Sequence, residues 1–298
     1  MSKIQWYPGH MTKARRNMQE DVKLVDIIFE LRDARIPRST ENPDIGKITK
    51  GKKRLILLNK SDIADPTVTD MWIKKLTGDN VEVIALDSRQ ANSLNQIRNR
   101  VEVLAREKRE RDRAKGITGD RPIKALVCGI PNVGKSTLIN SLQGKASAKT
   151  GNKPGVTKGN QWINVGRGLM LLDTPGILWP RFENEAVGYS LASTGAINDN
   201  ILNTEEVAVR LARILLDSYA NALFERYSFD EDVLRSTSEE IDNEIPGVDY
   251  EALSVLNLIA VNRKCLKRGA EPDIEKASAI FIDDFRSGRL GRISLEKP

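Results

Sequence analysis

The sequence predicts an α/β domain followed by a smaller, all-helical domain. Up to about residue 178, short apolar segments of strand length alternate with helical segments, which is the order typical of an α/β sheet. From about residue 180, apolar residues recur at helical spacing and no segment resembles a strand. We therefore predict one domain over residues 1–178 and a second over residues 179–298.

Six segments of the first domain are predicted strands. Leu55–Leu58 is apolar at every position, as a strand covered on both faces of a parallel sheet requires. The last two segments flank the turn Gly166–Gly168 and form a predicted hairpin, so the sheet is expected to be mixed but mostly parallel. The predicted strands are residues 25–31, 54–58, 81–86, 125–128, 161–165 and 169–172. The clearest predicted helices of the first domain are residues 70–77 and 93–114. In the second domain apolar residues recur at helical spacing over 207–216, 250–266 and 277–285, and Gly269 and Gly288 suit the C-caps of the last two helices.

The composition is typical of a globular protein of the reducing cytoplasm. The chain has 298 residues, of which 40% are hydrophobic and 30% charged, and no apolar run has the length of a transmembrane helix or a signal peptide core. Cys128 and Cys265 are too few for a disulfide framework or a cysteine metal site. We therefore expect no association with a membrane.

The net charge of +6 is unevenly distributed along the chain. Residues 199–298 carry 13 Lys and Arg against 20 Asp and Glu, whereas the remaining residues carry 34 against 21. A basic N-terminal two-thirds indicates a polyanionic partner. Ordinary solvated surface charge is the alternative.

A phosphate-binding loop lies between a predicted strand and a predicted helix. The strand–Gly-rich loop–helix order of Gly129–Thr137 forms a cradle in which backbone N–H groups and the helix dipole face phosphate oxygens. Lys135 is expected to bind the β- and γ-phosphates. The candidate phosphate-binding residues are Gly129, Ile130, Pro131, Asn132, Val133, Gly134, Lys135, Ser136 and Thr137, together with Gly176.

A base-reading motif, Asn59–Asp62, follows the second predicted strand. The Asp62 carboxylate can accept hydrogen bonds from both N1–H and the 2-amino group of guanine, whereas adenine offers no such pair of donors. We expect Asn59 to brace the loop, the Lys60 stem to pack on the base, and the Ser88 backbone N–H to bind the guanine carbonyl. The motif therefore indicates GTP rather than ATP.

Three residues are candidates for holding Mg²⁺. The Ser136 hydroxyl follows Lys135 in the phosphate loop, and Asp173 follows a predicted strand in the segment Asp173–Gly176. We take Thr157 as the switch threonine that coordinates the ion in the triphosphate state.

The order of these motifs is that of a circularly permuted GTPase. The phosphate loop comes first in Ras-like GTPases, whereas here it follows the base-reading motif. Over nearly its whole length the chain resembles the YlqF/RbgA family of circularly permuted bacterial ribosome-assembly GTPases. The segments that carry the resemblance are residues 6–11, 33–37, 59–62, 129–136, 154–157, 173–176 and 285–291.

This resemblance implies a circularly permuted Ras-like P-loop domain followed by a helical domain that helps to bind ribosomal RNA. It implies that the chain, a monomer, binds GTP, GDP and Mg²⁺. It further implies binding to the precursor of the large ribosomal subunit, with its rRNA and ribosomal proteins, and hydrolysis coupled to late maturation and release.

The group that orients the attacking water is not at its usual place. Ras-type enzymes carry Gln directly after Asp-x-x-Gly, and this chain has Ile177 there, which forms no side-chain hydrogen bond. The resemblance implies that His10 is catalytic, and packing beside Tyr7 is the alternative. Asn132 is a second candidate, since Asn at this loop position can help to hold a K⁺ ion against the phosphates; simple stabilisation of the loop is its alternative. The candidate catalytic residues are His10, Lys135 and Asn132.

Basic residues at both ends of the chain are candidates for RNA contact. Residues 225–251 carry ten acidic and two basic residues and should repel phosphate. The candidate contacts, four of which are predicted to share one helix, are Lys13, Arg15, Arg16, Arg263, Lys264, Lys267, Arg268, Arg286, Arg289 and Arg292.

Two other functions compete with a GTPase acting on a ribonucleoprotein. The absence of a glutamine at Ile177 is compatible with a GTP-dependent binding module whose hydrolysis is incidental. A P-loop kinase is disfavoured by Asp62 and by the lack of a recognisable acceptor site.

Overall fold

The computed structural model describes residues 8–117, 121–144, 161–174, 184–198, 203–241 and 247–298, with side chains from residue 16 onward. The chain divides into two compact units. The first comprises Met1–Glu183 and Glu296–Pro298, and the second comprises Asn184–Leu295. The last three residues, on the helical side of the predicted boundary, thus belong to the first unit.

The first unit is built on a six-stranded sheet with the strand order β3-β2-β1-β4-β6-β5. All neighbouring strands are parallel except β5, which is the first arm of a hairpin and pairs antiparallel with the second arm, β6. The mixed, mostly parallel sheet predicted from the sequence is therefore confirmed. The strands are β1 (Ile27–Asp33), β2 (Lys53–Asn59), β3 (Val81–Leu86), β4 (Ile123–Cys128), β5 (Gln161–Asn164) and β6 (Leu169–Asp173).

Helices cover the sheet and close its core. Met18, Val22 and Ile45 pack with strand residues in one buried cluster, and Trp72 packs with others in a second. The helices are α1 (Pro8–Lys23), α2 (Pro43–Ile48), α3 (Pro66–Leu76), α4 (Ala91–Ala114) and α5 (Lys135–Gln143).

The predicted helix over 70–77 begins earlier, at Pro66, because Asp65 caps it. The Asp65 side chain accepts hydrogen bonds from the Thr67 and Val68 N–H groups, and Pro66 suits a first helical turn.

The regular elements described in the second unit are helices, and an isolated antiparallel bridge joins Leu266 to Pro272. Each helix starts at an Asn or Asp whose side chain accepts a backbone N–H of the first turn, which satisfies one of the otherwise unpaired donors there. Tyr227 and Phe281 pack edge to face in its core, 6.1 Å apart. The helices are α6 (Glu185–Ser193), α7 (Thr204–Tyr227), α8 (Glu231–Glu240), α9 (Tyr250–Asn262) and α10 (Ile274–Arg286).

The helix predicted over 250–266 ends four residues early, at Asn262. Lys264 has a left-handed backbone (φ 54°), and the Cys265 N–H turns back to the Ala260 carbonyl at 2.7 Å. This turn ends the helix, so the basic residues predicted to share a helix lie in the connection between α9 and α10 instead.

Candidate nucleotide-binding site

The sequence-predicted motifs meet at one edge of the sheet. Strands β1, β2, β4 and β6 run in parallel, so their carboxyl ends lie together. The phosphate loop follows β4, the base-reading motif follows β2, and Asp173 ends β6. Ligands of open α/β sheets bind at this edge.

Two glycines of the phosphate loop have backbones that other residues rarely adopt. Gly129 has φ 146°, and a Cβ atom there would lie 2.6 Å from the Leu31 carbonyl oxygen. Gly134 has φ 102°, begins α5, and lies against the Asn59 amide. The close approach of β1 and β2 to the loop therefore requires glycine at both positions.

Lys135 points back into the loop. Its ammonium donates to the carbonyl oxygens of Gly129, at 3.0 Å, and Ile130, at 2.8 Å. Burial lowers the pKa of Lys135 to about 8, against the opposing effect of the nearby Asp173 carboxylate. Phosphate oxygens at this position would favour the charged form.

Asp173 is buried at the end of β6, and its Oδ1 atom has no hydrogen-bond partner among the described residues. Burial raises the pKa of this carboxyl, although Lys135 opposes the shift. No cluster of three or more His, Cys, Asp or Glu side chains suits a metal ion in the described part of the chain. One carboxylate and the Ser136 hydroxyl fit Mg²⁺, which binds few protein groups and completes its shell with water and phosphate oxygens.

Asn59 joins the base-reading motif to the phosphate loop. Its amide Nδ2 donates to the Val133 carbonyl at 2.8 Å, and its Oδ1 accepts from the Ser88 N–H at 3.0 Å and the Ser88 hydroxyl at 2.6 Å. The Ser88 N–H, which we expect to bind the guanine carbonyl, donates to Asn59 in this structure. Ser88 serves to orient Asn59.

Sequence reasoning missed the partner of Lys60. The Lys60 ammonium lies 3.0 Å from the Asp33 carboxylate, which Arg35 also binds through Nε and Nη2 at 2.9 and 2.8 Å. Burial would raise the pKa of Asp33, but the two cations hold it well below its ordinary value. The position of Asp33 at the carboxyl end of β1 was the signal available in the sequence.

Asp62 lies in a short 3₁₀ turn, Ser61–Ile63, after β2. One carboxylate oxygen accepts from Arg89 Nη2 at 2.7 Å, and the other is buried with no hydrogen-bond partner among the described residues. The carboxylate expected to read guanine therefore has one enclosed oxygen whose hydrogen bond no described residue supplies.

Comparison with known proteins agrees with this geometry. Residues 124–246 match the family described as "50S ribosome-binding GTPase". Ribosome biogenesis GTPase A from Bacillus licheniformis is 47% identical over 99% of this chain and 98% of its own length. The chain belongs to the ribosome biogenesis GTPase A family.

Two solved structures extend this relationship to the fold. A GDP-bound structure of YlqF has 28% identity and a TM-score of 0.62, and covers 95% of this chain and 99% of its own. GNP-bound YlqF from T. maritima has 28% identity and a TM-score of 0.59, over 96% and 98%. This ribosome biogenesis GTPase A family member thus has a circularly permuted G domain, binds guanine nucleotide and hydrolyses GTP.

Several predicted site residues lie outside the described part of this GTPase. Thr157, Gly176 and Ile177 belong to segments that the structure does not describe. His10, Lys13 and Arg15 lie in α1, but their side chains are outside the described set. Their roles remain predictions.

Several of the candidate RNA contacts have partners within the second unit. Arg286 donates to the Ser193 and Ala192 carbonyl oxygens and so caps the end of α6, and Arg289 pairs with Asp283 and Asp284. Arg263 donates to the Arg226 carbonyl oxygen at 3.3 Å and lies over the Tyr227 ring. The exposed candidates are Arg16, Arg263, Lys264, Lys267, Arg268, Arg289 and Arg292. No helix among the described residues is long and apolar enough to cross a bilayer.

Proposed function

We propose that this GTPase binds the precursor of the large ribosomal subunit and couples GTP hydrolysis to late maturation of that subunit and to its own release. The observation that carries the proposal is the joining of phosphate loop and base-reading motif through Asn59 in a chain 47% identical to a ribosome biogenesis GTPase. A partner of this kind entails a cytoplasmic location. We take the protein to act as a monomer.

In the proposed nucleotide complex, the loop N–H groups and Lys135 bind the phosphates and Gly176 meets the γ-phosphate. Lys135 exchanges its bonds to the Gly129 and Ile130 carbonyls for bonds to phosphate oxygens. Asp62 reads the base, and Lys60, held by Asp33, packs its stem on the ring. Ser136, Thr157 and Asp173 are the residues that would hold Mg²⁺, which neutralises charge on the β- and γ-oxygens when bound.

We propose that His10, or a K⁺ ion held by Asn132, takes over the catalytic role of the glutamine that Ras-type enzymes carry at the position of Ile177. Asn132 has a left-handed backbone, φ 60°, within the phosphate loop. Turnover in KCl and in NaCl at equal ionic strength, for the wild type and for His10→Ala, distinguishes them. Dependence on K⁺ supports Asn132, whereas loss of subunit-stimulated turnover in His10→Ala supports His10.

We propose that the α9–α10 connection contacts rRNA phosphates. Arg263, Lys264, Lys267 and Arg268 are all exposed there, within a few residues of one another. Lys13, Arg15, Arg16 and Arg292 complete the proposed contacts. Neutralising phosphates releases counterions, so binding through this connection should weaken steeply as salt rises.

Co-sedimentation with purified large-subunit precursors tests the proposal. Wild-type protein with a non-hydrolysable GTP analogue should sediment with the subunits, and GDP should release it. Lys264→Glu/Lys267→Glu should weaken binding and flatten its salt dependence, whereas Arg235→Glu/Lys276→Glu, a matched change at two exposed residues of the same unit, should not. Equal binding in GDP and the analogue would contradict the coupling, and an unaffected double variant would contradict the contact surface.

A further inference from the structure

We propose that Arg89 is a specificity-determining residue of the guanine site, because it positions the Asp62 carboxylate so that guanine is preferred over bases without the 2-amino group. The inference rests on the proposed guanine-reading role of Asp62. Arg89 forms no part of the motifs from which the nucleotide was predicted, and it acts through Asp62 rather than on the base.

Arg89 is held firmly although it is exposed. Asp87, which is buried, binds its guanidinium in a bidentate pair: Nε donates to Oδ1 at 2.8 Å and Nη2 to Oδ2 at 2.9 Å. The Arg89 backbone N–H also donates to Asp87 Oδ1 at 3.0 Å, and Gln90 Nε2 donates to Oδ2 at 3.2 Å. A guanidinium group held by two hydrogen bonds to one carboxylate has little freedom to rotate.

The same guanidinium group also binds the Asp62 carboxylate. Arg89 Nη2 donates to Asp62 Oδ2 at 2.7 Å, so one arginine bridges two carboxylates that would otherwise repel each other. Asp62 Oδ1 remains buried and unpaired among the described residues. A carboxylate oxygen accepts about two hydrogen bonds, so Oδ2 keeps one further site beside the orphaned Oδ1.

This arrangement matches the donors of guanine. Guanine presents N1–H and the 2-amino group side by side, whereas hypoxanthine presents N1–H alone. A carboxylate fixed at one oxygen can meet both guanine donors at once, but a freely rotating one loses part of that geometry on binding. Without Arg89, repulsion from Asp87 would also turn Asp62 away from the base. Arg89 should therefore contribute to the preference for guanine over hypoxanthine rather than to binding in general.

The test compares the dissociation constants of GDP and IDP for the full-length protein. We expect Arg89→Met to reduce the GDP-over-IDP preference about tenfold, the size of one lost hydrogen bond to a charged group. Arg89→Lys, which keeps the charge but not the guanidinium group, should fall between the wild type and Arg89→Met. Arg100→Met, at an exposed arginine of α4 that pairs with Glu82, is the matched control and should keep the wild-type ratio.

Asp62→Asn separates failure of this inference from failure of the guanine-site assignment. If Asp62→Asn retains the wild-type preference, Asp62 does not read the base and both proposals fall. If Asp62→Asn loses the preference while Arg89→Met retains it, only the role of Arg89 is overturned. Tighter GDP binding by Arg89→Met would also overturn it, because Arg89 would then compete with guanine for Asp62.

Discussion

At the scale of single residues, Asn59 connects the separate parts of the nucleotide site. Its amide joins three segments that are distant in sequence, through bonds to the Val133 carbonyl and to both polar groups of Ser88. These groups are buried, so a missing partner costs about 1–3 kcal/mol for each unpaired group. Asn59 of the base-reading motif thus connects the phosphate loop to the segment that contains Ser88, in addition to the contact with the base expected of this motif.

Asn59→Ala should lower both the melting temperature and the affinity for GDP, the latter by at least about tenfold, because the phosphate loop loses its support. Calorimetric titration and thermal unfolding measure the two effects. Asn257→Ala is the control, since that amide donates to the Leu253 carbonyl one helical turn away and lies far from the site in sequence. Wild-type GDP affinity in Asn59→Ala would contradict this role of Asn59.

Lys135 makes nucleotide binding depend on pH. Burial lowers its pKa to about 8, and bound phosphates favour its charged form. Affinity for GDP should therefore be constant below about pH 8 and fall by up to about tenfold between pH 8 and pH 9, as the free protein loses this proton. Lys135→Arg keeps its charge, so its binding should show only the effect of ionisation of the base. Identical pH profiles for the two proteins would refute the assignment.

At the scale of elements, Asp249 both caps α9 and forms an ion pair with a residue of another helix. The Asp249 side chain accepts from the Ala252 N–H at 3.0 Å and binds Arg213 of α7 through both oxygens, at 2.8 and 2.7 Å. The hydrogen bond from Arg213 holds the pKa of Asp249 below its ordinary value, although burial opposes it. Asp249 therefore fixes α9 to α7 while it starts α9.

Asp249→Ala should lower the free energy of unfolding of the second unit by about 1–2 kcal/mol, since it removes cap and pair together. Asp249→Asn preserves the cap and should cost less than about 1 kcal/mol. Because the pKa is depressed in the fold, the contribution of the pair is present above about pH 4 and is lost as the pH falls below it. Denaturant titrations at several pH values measure this. Equal losses in both variants would contradict the separate role of the cap.

The strands could be predicted because strand formation depends on local apolar runs, such as Leu55–Leu58, and the motifs could be placed because they follow those runs. Element ends were less predictable. Asp65 begins α3 earlier than apolar periodicity suggested, and the left-handed Lys264 ends α9 sooner. Each of these helix ends is set by one side chain or one backbone dihedral angle, which the spacing of apolar residues does not reveal.

The contacts of the site were beyond sequence reasoning where they join distant segments. Asp33 meets Lys60 because β1 and β2 are neighbours in the sheet, and Arg89 meets Asp62 because the chain after β3 returns to the same edge. Neither pair has a sequence spacing that indicates contact. The hydrogen bond from the Ser88 N–H to Asn59 was missed for the same reason, since the two residues lie 29 positions apart.

At the scale of the whole molecule, Glu296–Pro298 belong to the first unit, although they follow the second unit in the sequence. Glu296 accepts from the backbone N–H groups of Arg38, at 2.8 Å, and Ser39, and from the Ser39 hydroxyl. The Trp72 indole donates to the Glu296 carbonyl at 3.0 Å. The carboxyl terminus is thus part of the fold of the first unit.

Glu296→Ala should lower the melting temperature of the first unit, with a loss of about 1–3 kcal/mol in its free energy of unfolding, because two backbone donors lose their acceptor. Lys297→Ala, at the exposed neighbour, should leave stability unchanged. Thermal unfolding followed by tryptophan fluorescence measures both. A melting temperature in Glu296→Ala equal to that of Lys297→Ala would show that the Glu296 carboxylate contributes nothing to stability.

We propose that the ribosomal particle that this GTPase helps to assemble also switches its hydrolysis of GTP. The most direct measurement is GTP turnover with and without purified large-subunit precursors, at saturating GTP. Since Ile177 cannot orient water, we expect slow turnover for the protein alone. We expect turnover to rise by at least about tenfold with the precursors, as it does in GTPases whose partner supplies a missing catalytic group. Turnover that stays the same at saturating precursor would contradict the account.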